Sequence, residues 1–142
     1  MNAELRARIV QEARTWLGTP FSPHASTKGV GCDCVTFALA VYKAAGAAPL
    51  DAELPRYRID RGAHNPDSQL LAWLQACPWL RREESPGLGS VVAMRVGASE
   101  HHVALLVGEH AIVHVWQSRG CVEYDTRTPL FRRTVHSYWG PR

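Results

Sequence analysis

The chain has 142 residues, the length of one domain, and is predicted to fold around a single core over residues 1–142. With 46% hydrophobic and 20% charged residues, its composition excludes a disordered, collagen-like or repeat protein. Sixteen Lys and Arg against thirteen Asp and Glu leave a net charge of +3. That charge is too small to indicate nucleic-acid binding, although it is compatible with an anionic polymer as substrate.

Cysteine usage and hydropathy indicate where the chain is made. Four cysteines are too few for a secreted scaffold built from disulfides. The N-terminal residues contain no apolar signal segment, and no apolar run is long enough to cross a bilayer. We therefore expect synthesis in the cytoplasm without a signal peptide, no membrane insertion, and delivery by another particle for any action outside the cell.

The first half of the chain is predicted to be helical. Apolar residues at helical spacing follow a possible cap at Asn2 and end at Gly18. Residues 18–31 are rich in Gly, Pro, Ser and Thr and predict an ordered loop. A second, largely buried helix is predicted to begin at Asp33 and to end near Ala45, where Gly46 closes it.

After the second helix, residues 49–65 predict a polar surface loop. The dipeptide Asn65-Pro66 indicates the start of a third helix that continues to Cys77. From Ser90 onward the pattern changes to short β-rich runs divided by turns. The predicted strands are Val91–Val96, His102–Val107, Ala111–Trp116, Gly120–Tyr124 and Val135–Trp139. Helices followed by consecutive hairpins predict an α+β fold, with N-terminal helices packed on an antiparallel sheet of about five strands.

The residues around Cys34 are typical of a catalytic thiol. Cys34 lies in the first turn of the second helix, directly after a glycine-rich loop. A helix start favours a thiolate, and its free N–H groups can hold the oxyanion of an acyl intermediate. A small buried thiol without chemistry is the alternative interpretation. Asp33 is interpreted as the helix cap, with a role as an acid as the alternative.

Two histidines are candidate partners for this thiol. His102 and His114 lie on consecutive predicted strands joined by a turn. If the strands pair as a hairpin, the two imidazoles lie side by side, so that one serves as general base and the other orients it. Without Cys34 the preferred interpretation is two half-buried strand histidines.

The remaining cysteines and arginines allow other interpretations. Cys32 is a candidate resolving thiol or metal ligand, and His101, beside His102, is also a candidate metal ligand. These positions lack a recognised zinc spacing, so we predict no metal site. Cys77 and Cys121 are interpreted as core thiols. The tryptophans Trp73, Trp79, Trp116 and Trp139 are interpreted as core or groove walls. The pairs Arg81-Arg82 and Arg132-Arg133 are interpreted as solvated charges or as a cationic rim.

Together these residues resemble the NlpC-type cell-wall cysteine peptidases, a papain-like family that acts on peptidoglycan stem peptides. The resemblance covers about residues 8–140. Its landmarks, in order, are Trp16-Leu17-Gly18-Thr19-Pro20-Phe21, Asp33-Cys34, Pro86-Gly87, His102-Val103-Ala104 and Ile112-Val113-His114. The segment from Lys28 to Cys34 is most similar to the branch found in phage tail and gene-transfer-agent clusters.

The resemblance implies a role for each matching residue. Cys34 would be the nucleophile, His102 the base and His114 the orienting residue of a cysteine endopeptidase that needs no cofactor. The implied substrate bond joins D-glutamate, through its side chain, to meso-diaminopimelate. The implied partners are peptidoglycan peptides and the hub or tip proteins of a phage-like tail, which would carry the protein to the periplasm.

Two departures from the family pattern bear on this implication. Many relatives have Tyr at the position of Phe21, and Phe21 cannot donate a hydrogen bond. Ser22 or His24 is a candidate replacement, and with Asp33 and Phe21 these residues form the expected oxyanion or substrate support. Val35-Thr36 replaces the usual Ser-Gly. The alternatives are a structural plug or adaptor of the tail hub with weak catalysis, and a related thiol amidase or acyltransferase.

Overall fold

The computed structural model describes residues 2–54, 69–96 and 99–142. Its helices are α1 (Ala3–Thr15), α2 (Cys34–Ala45), α3 (Gln69–Ala76) and α4 (Pro129–Thr134). Most of the loop predicted over 49–65 and the predicted start of the third helix at Asn65-Pro66 lie outside the described residues. Among the helices described here, none is long and apolar enough to cross a membrane.

The strands form two antiparallel sheets. Strands β1 (Ser26–Thr27) and β2 (Gly31–Cys32) make a small hairpin within the loop between α1 and α2. The other strands are β3 (Leu80–Glu83), β4 (Val91–Val96), β5 (Ser99–Gly108), β6 (Ala111–Trp116), β7 (Gly120–Asp125) and β8 (Val135–Pro141). They form a six-stranded sheet in the order β3-β8-β4-β5-β6-β7. The predicted α+β class is therefore confirmed, with three strands beyond the expected five: β3 in the large sheet, and β1 and β2 in the small hairpin.

Each face of the large sheet carries its own apolar cluster. The first core cluster packs α1, α2 and α3 against side chains such as Val103, Leu105 and Val113. The second core cluster lies on the opposite face and consists of Val92, Met94, Ala104, Leu106, Ile112 and Phe131. Residues alternate between faces along a strand, so neighbours in the chain, such as Val103 and Ala104, belong to different clusters.

A buried ion-pair cluster joins α1 to the end of β3 and to the connection between β3 and β4. Arg6 pairs with Glu83, and its guanidinium also donates to the Leu88 carbonyl and to Ser90 Oγ. Ser90 Oγ in turn donates to Glu83 Oε1 at 2.6 Å and accepts from the Gly87 N–H at 2.9 Å. This cluster of Arg6, Glu83 and Ser90 fixes the turn that leads into β4.

Candidate active site

Asp33 sets the start of α2 through three backbone hydrogen bonds. Its Oδ1 accepts from the N–H groups of Val35 and Thr36, both at 2.9 Å, and the Thr36 hydroxyl accepts from the Asp33 N–H. Its Oδ2 accepts from the His24 N–H at 2.6 Å. The carboxylate is fully buried, and each of its oxygens is engaged. Asp33 is therefore the cap of α2 and also fixes the preceding loop.

Cys34, the first residue of α2, lies at the junction between this helix and β5. Its side chain is only 6% exposed, and the backbone N–H groups of Val103, Cys34 and Val35 lie close enough to its sulfur to lower the pKa of the thiol. The described pairing of β5 with β6 begins at Ala104, so Val103 lies just beyond the end of that ladder. The sulfur is thus held beside the residue that follows His102.

The expectation of a thiolate at this helix start is wrong for the isolated protein. Burial raises the pKa of the Cys34 thiol to about 12, and the Asp33 carboxylate adds to the rise. The backbone N–H groups of Val103, Cys34 and Val35 lower the pKa, but desolvation outweighs them. At neutral pH the sulfur therefore carries its proton, and it needs a base to become a nucleophile.

His102 and His114 meet on the face of the second core cluster. Ala104 pairs with His114 across the β5–β6 ladder, and residues two apart on a strand share a face. Nε2 of His102 lies 3.0 Å from Nδ1 of His114, so the two rings form a hydrogen bond. Both side chains are buried, at 5% and 2% exposure. We call them the histidine pair.

His114 is buried without a full set of hydrogen-bond partners. Its Nδ1 contacts His102, whereas its Nε2 is a buried polar atom that makes no hydrogen bond. Burial lowers the pKa of His114 to about 4, because desolvation penalises the imidazolium. His114 is therefore neutral at pH 7, and its Nδ1 can accept a proton only if Nε2 carries the ring hydrogen.

The loop before α2 carries the other predicted support residues. Its segment 18–22 runs between β2 and β7: Cys121 donates to the Thr19 carbonyl and Cys32 donates to the Pro20 carbonyl, at 2.9 and 3.1 Å. Phe21 is half-buried and packs against the first core cluster. Ser22 is also half-buried, and its N–H donates to the Cys32 carbonyl at 2.9 Å.

His24 is exposed and adopts a positive φ of 64°, which is uncommon for a residue with a Cβ. Its backbone is held there by the Asp33 carboxylate. The structure therefore brings the backbone of His24 to Asp33, next to Cys34. Their roles in oxyanion or substrate support, like the roles of Cys34 and the histidine pair, stay predictions.

The other cysteines lie in the core. Cys32, Cys77 and Cys121 are buried and free, and burial raises their pKa values to between about 11 and about 12. The interpretation of Cys77 and Cys121 as core thiols is confirmed. Over residues 2–54, 69–96 and 99–142, no group of three His, Cys, Asp or Glu side chains is arranged to hold a metal ion.

Sequence reasoning missed the aromatic rings around the histidine pair. The Trp116 ring centroid lies 4.9 Å from that of His102 and 5.1 Å from that of His114. Tyr124 on β7 lies 5.6 Å from His114. The alternation of β6 contains the signal, because His114 and Trp116 are two residues apart and share a face.

The comparison with solved structures defines the class of fold. The sequence matches no protein-family model and no curated protein. An NlpC/P60 family protein from Bacillus cereus superposes with a TM-score of 0.63 at 20% identity, over 94% of this chain and 39% of that one. The NlpC/p60 domain of the peptidoglycan hydrolase SagA gives 0.64 at 15% identity, over 95% of this chain and 97% of that one. NlpC2 from Trichomonas vaginalis gives 0.65 at 17% identity, over 99% and 49%.

These similarities show that the chain has the NlpC/P60 fold. It spans about two fifths of the Bacillus protein and about half of the Trichomonas protein, but nearly all of the SagA domain. The fold predicted from the sequence is thereby confirmed.

Proposed function

We propose that this protein is a cysteine peptidase that hydrolyses an amide bond in peptidoglycan stem peptides. One observation carries the proposal. The Cys34 sulfur, at the start of α2, lies near the backbone N–H of Val103, and the preceding residue, His102, is hydrogen-bonded to a second buried imidazole. A thiol, a base and a group that orients the base are the parts that nucleophilic acyl transfer requires.

In the proposed mechanism, the thiol proton moves to His102. Because Nε2 of His102 is engaged with His114, the exchange with Cys34 goes through Nδ1 of His102. As the sulfur attacks the amide carbon, the thiol proton passes to Nδ1 and the carbonyl oxygen becomes an oxyanion. Because burial raises the pKa of the Cys34 thiol to about 12, this transfer accompanies the attack on the amide carbon and does not precede it.

The second half of the reaction restores the enzyme. When the tetrahedral intermediate collapses, the C–N bond breaks and the leaving amine takes the proton from His102. The acyl group then remains on Cys34 as a thioester. Water attacks this thioester, gives its proton to His102, and releases the acid as the C–S bond breaks and the sulfur regains a proton. No cofactor enters any step.

The start of α2 is the part of the site best placed to hold the oxyanion. Backbone N–H groups of Cys34 and Val35 lie near the sulfur, and donors at that position can stabilise negative charge on the carbonyl oxygen. Phe21 supplies no hydroxyl for this purpose. The backbone donors therefore replace the side-chain donor that the family resemblance leads one to expect.

We further propose that the bond cleaved is D-γ-glutamyl–meso-diaminopimelate, and that the protein acts in the periplasm from the tip of a phage-like tail. The support is the sequence resemblance, in particular the segment from Lys28 to Cys34. This segment includes β2, which pairs with β1, and leads directly into α2.

The test of catalysis uses muropeptides of defined linkage, with products identified by mass spectrometry. The wild type is expected to cleave the D-γ-glutamyl bond, and Cys34→Ala to lose at least a thousandfold in rate while keeping the wild-type melting temperature. Cys121→Ala, which removes another buried thiol, is the matched control and should retain activity. Cleavage by Cys34→Ala at the wild-type rate would overturn the proposal.

Two further measurements address the alternatives. A structural plug or adaptor, suggested by Phe21, would bind tail-tip proteins but leave every muropeptide intact. A thiol amidase or acyltransferase would form a covalent adduct at Cys34 with another amide or ester and spare the D-γ-glutamyl bond. Mass spectrometry of purified phage-like particles should detect this chain, and its absence from them would contradict delivery by a tail.

A further inference from the structure

Trp116 is the one aromatic residue described here that contacts both members of the histidine pair. Its ring lies 4.9 Å from His102 and 5.1 Å from His114, tilted by 37° and 38° to their planes. The imidazoles beneath are buried, whereas Trp116 itself is half-buried. The indole therefore lies between the histidine pair and the solvent at the end of β6.

Water at this position would disturb the hydrogen bond between the two rings. A water molecule that reached the unsatisfied Nε2 of His114 would stabilise the protonated ring. In the imidazolium both nitrogens carry hydrogen, so Nδ1 of His114 would no longer accept from His102. His102 would then lose the contact that holds its own proton on Nε2.

Burial is the physical cause that keeps His114 neutral. Desolvation accounts for the fall of its pKa to about 4, and no charged neighbour contributes. The titratable groups that face His114 within the described residues are His102 on β5 and Tyr124 on β7. The Tyr124 hydroxyl is bonded to Thr128 at 3.1 Å, so the ring alone faces the imidazole.

We propose that Trp116 is a positioning residue of the catalytic site: its indole covers the His102–His114 hydrogen bond, excludes water and keeps His114 neutral with its hydrogen on Nε2. In this state Nδ1 of His114 accepts from Nε2 of His102, and Nδ1 of His102 presents its lone pair to the thiol. This inference rests on the proposed function for its catalytic meaning, but its effect on His114 does not depend on the substrate.

The experiment compares Trp116→Ala with Trp116→Phe by NMR of ring-labelled histidines across pH 4 to 8. With the indole removed, the titration midpoint of His114 should rise by at least one pH unit toward its usual value near 6.5. Trp116→Phe keeps a ring over the pair and should restore at least half of the shift. Tyr124→Phe, which loses only the hydroxyl, is the matched control and should titrate as the wild type does.

The pH profile of kcat/KM supplies the second readout. In Trp116→Ala the pH at which kcat/KM begins to fall on the acid side should be higher than in the wild type. The loss of kcat/KM relative to the wild type should therefore be at least ten times larger at pH 5.5 than at pH 7.5. A merely structural role would lower activity equally at both pH values. Trp116→Leu, whose side chain covers less area than the indole, serves if the alanine variant does not fold, and a rise of the His114 midpoint that is smaller than the one given for alanine is expected.

The outcomes separate this inference from the proposed function. An unchanged His114 midpoint in Trp116→Ala, or in Trp116→Leu, overturns the inference even if activity falls. A raised midpoint in a protein whose wild type cleaves no muropeptide supports the covering role of Trp116 and contradicts the peptidase instead.

Discussion

Among the described residues, the ion-pair cluster and the histidine pair are two buried polar clusters whose hydrogen bonds are satisfied to different degrees. In the ion-pair cluster, Arg6 donates to Glu83, Ser90 and the Leu88 carbonyl, and Ser90 bonds Glu83 in turn. In the histidine pair, one hydrogen bond joins the rings, and Nε2 of His114 is left without any. The first cluster joins distant segments of the chain, whereas the second joins two neighbouring strands.

The difference predicts that the ion-pair cluster serves the fold, and it agrees with the catalytic role proposed for the histidine pair. A buried polar group that is fully hydrogen-bonded costs little once folded, and it specifies how the elements meet. An unsatisfied buried group costs about 1–3 kcal/mol, and such groups concentrate at functional sites. The saturated cluster should therefore control stability, and the unsaturated one should control activity and its pH dependence.

The largest effect on stability is expected from breaking the ion pair. Arg6→Met leaves the Glu83 carboxylate buried without its partner and should lower the free energy of unfolding by about 3–5 kcal/mol. Urea denaturation measures the loss. The rate per folded molecule should stay at the wild-type level, because the cluster does not contact Cys34 or the histidine pair.

The double variant Arg6→Met/Glu83→Gln sharpens this test. Glu83→Gln removes the buried negative charge that Arg6→Met leaves without a partner. The double variant should therefore be more stable than Arg6→Met alone. If the losses of the two single variants simply add, the ion pair is not the source of the stability.

An intermediate effect is expected at Asp33, which belongs to the site but is saturated like the ion-pair cluster. Asp33→Ala removes the cap of α2 and the anchor of His24, and should cost roughly 2 kcal/mol. Asp33→Asn keeps the Oδ1 acceptor for Val35 and Thr36 but cannot accept from the His24 N–H, and should cost about half as much. Thermal unfolding of both variants measures the difference, and equal losses would mean that the His24 contact contributes nothing.

The smallest effect concerns His114 and the pH dependence of stability. The folded pKa of about 4 lies below the usual value of 6.5, so between these pH values the unfolded chain binds more protons. Stability therefore falls as pH is lowered through this window, by roughly 1–2 kcal/mol at pH 5. His114→Phe should flatten this dependence while changing stability at pH 7.5 by less than about 1 kcal/mol.

Urea titrations at pH 5 and 7.5 measure this effect, with His110→Gln as the control because His110 is exposed. If His114→Phe retains the full pH dependence, another group is its source.

Local sequence signals predicted most of the fold. The cap at Asp33, the stop at Gly46 and the strand ranges Val91–Val96 and Ala111–Trp116 are all confirmed. Strand β3 was missed because Arg81 and Arg82, both exposed, break the alternation of apolar and polar residues by which a strand is predicted. Helix α4, with six residues, is too short to show a helical period.

The contact between His102 and His114 was predictable from the sequence, but the protonation of Cys34 was not. The spacing of His102 and His114 predicts their meeting across a hairpin, and their contact at 3.0 Å agrees with it. The pKa of Cys34 depends on how deeply α2 packs against β5, which is a tertiary contact that local sequence does not encode. The position of Trp116 against the histidine pair likewise depends on how the rings of Trp116, His102 and His114 are oriented, which local sequence does not encode.

The position of β8 has a consequence for how the protein is made. The strand lies between β3 and β4 in the sheet, although it begins about fifty residues after the end of β3 and about forty after the end of β4. During translation, β3 and β4 therefore leave the ribosome before β8, which pairs with both. The edge of each strand that bonds β8 stays unpaired until residues 135–141 have left the exit tunnel. The thiol of Cys34 is synthesised early, but the sheet that supports its site can be completed only after translation has passed β8.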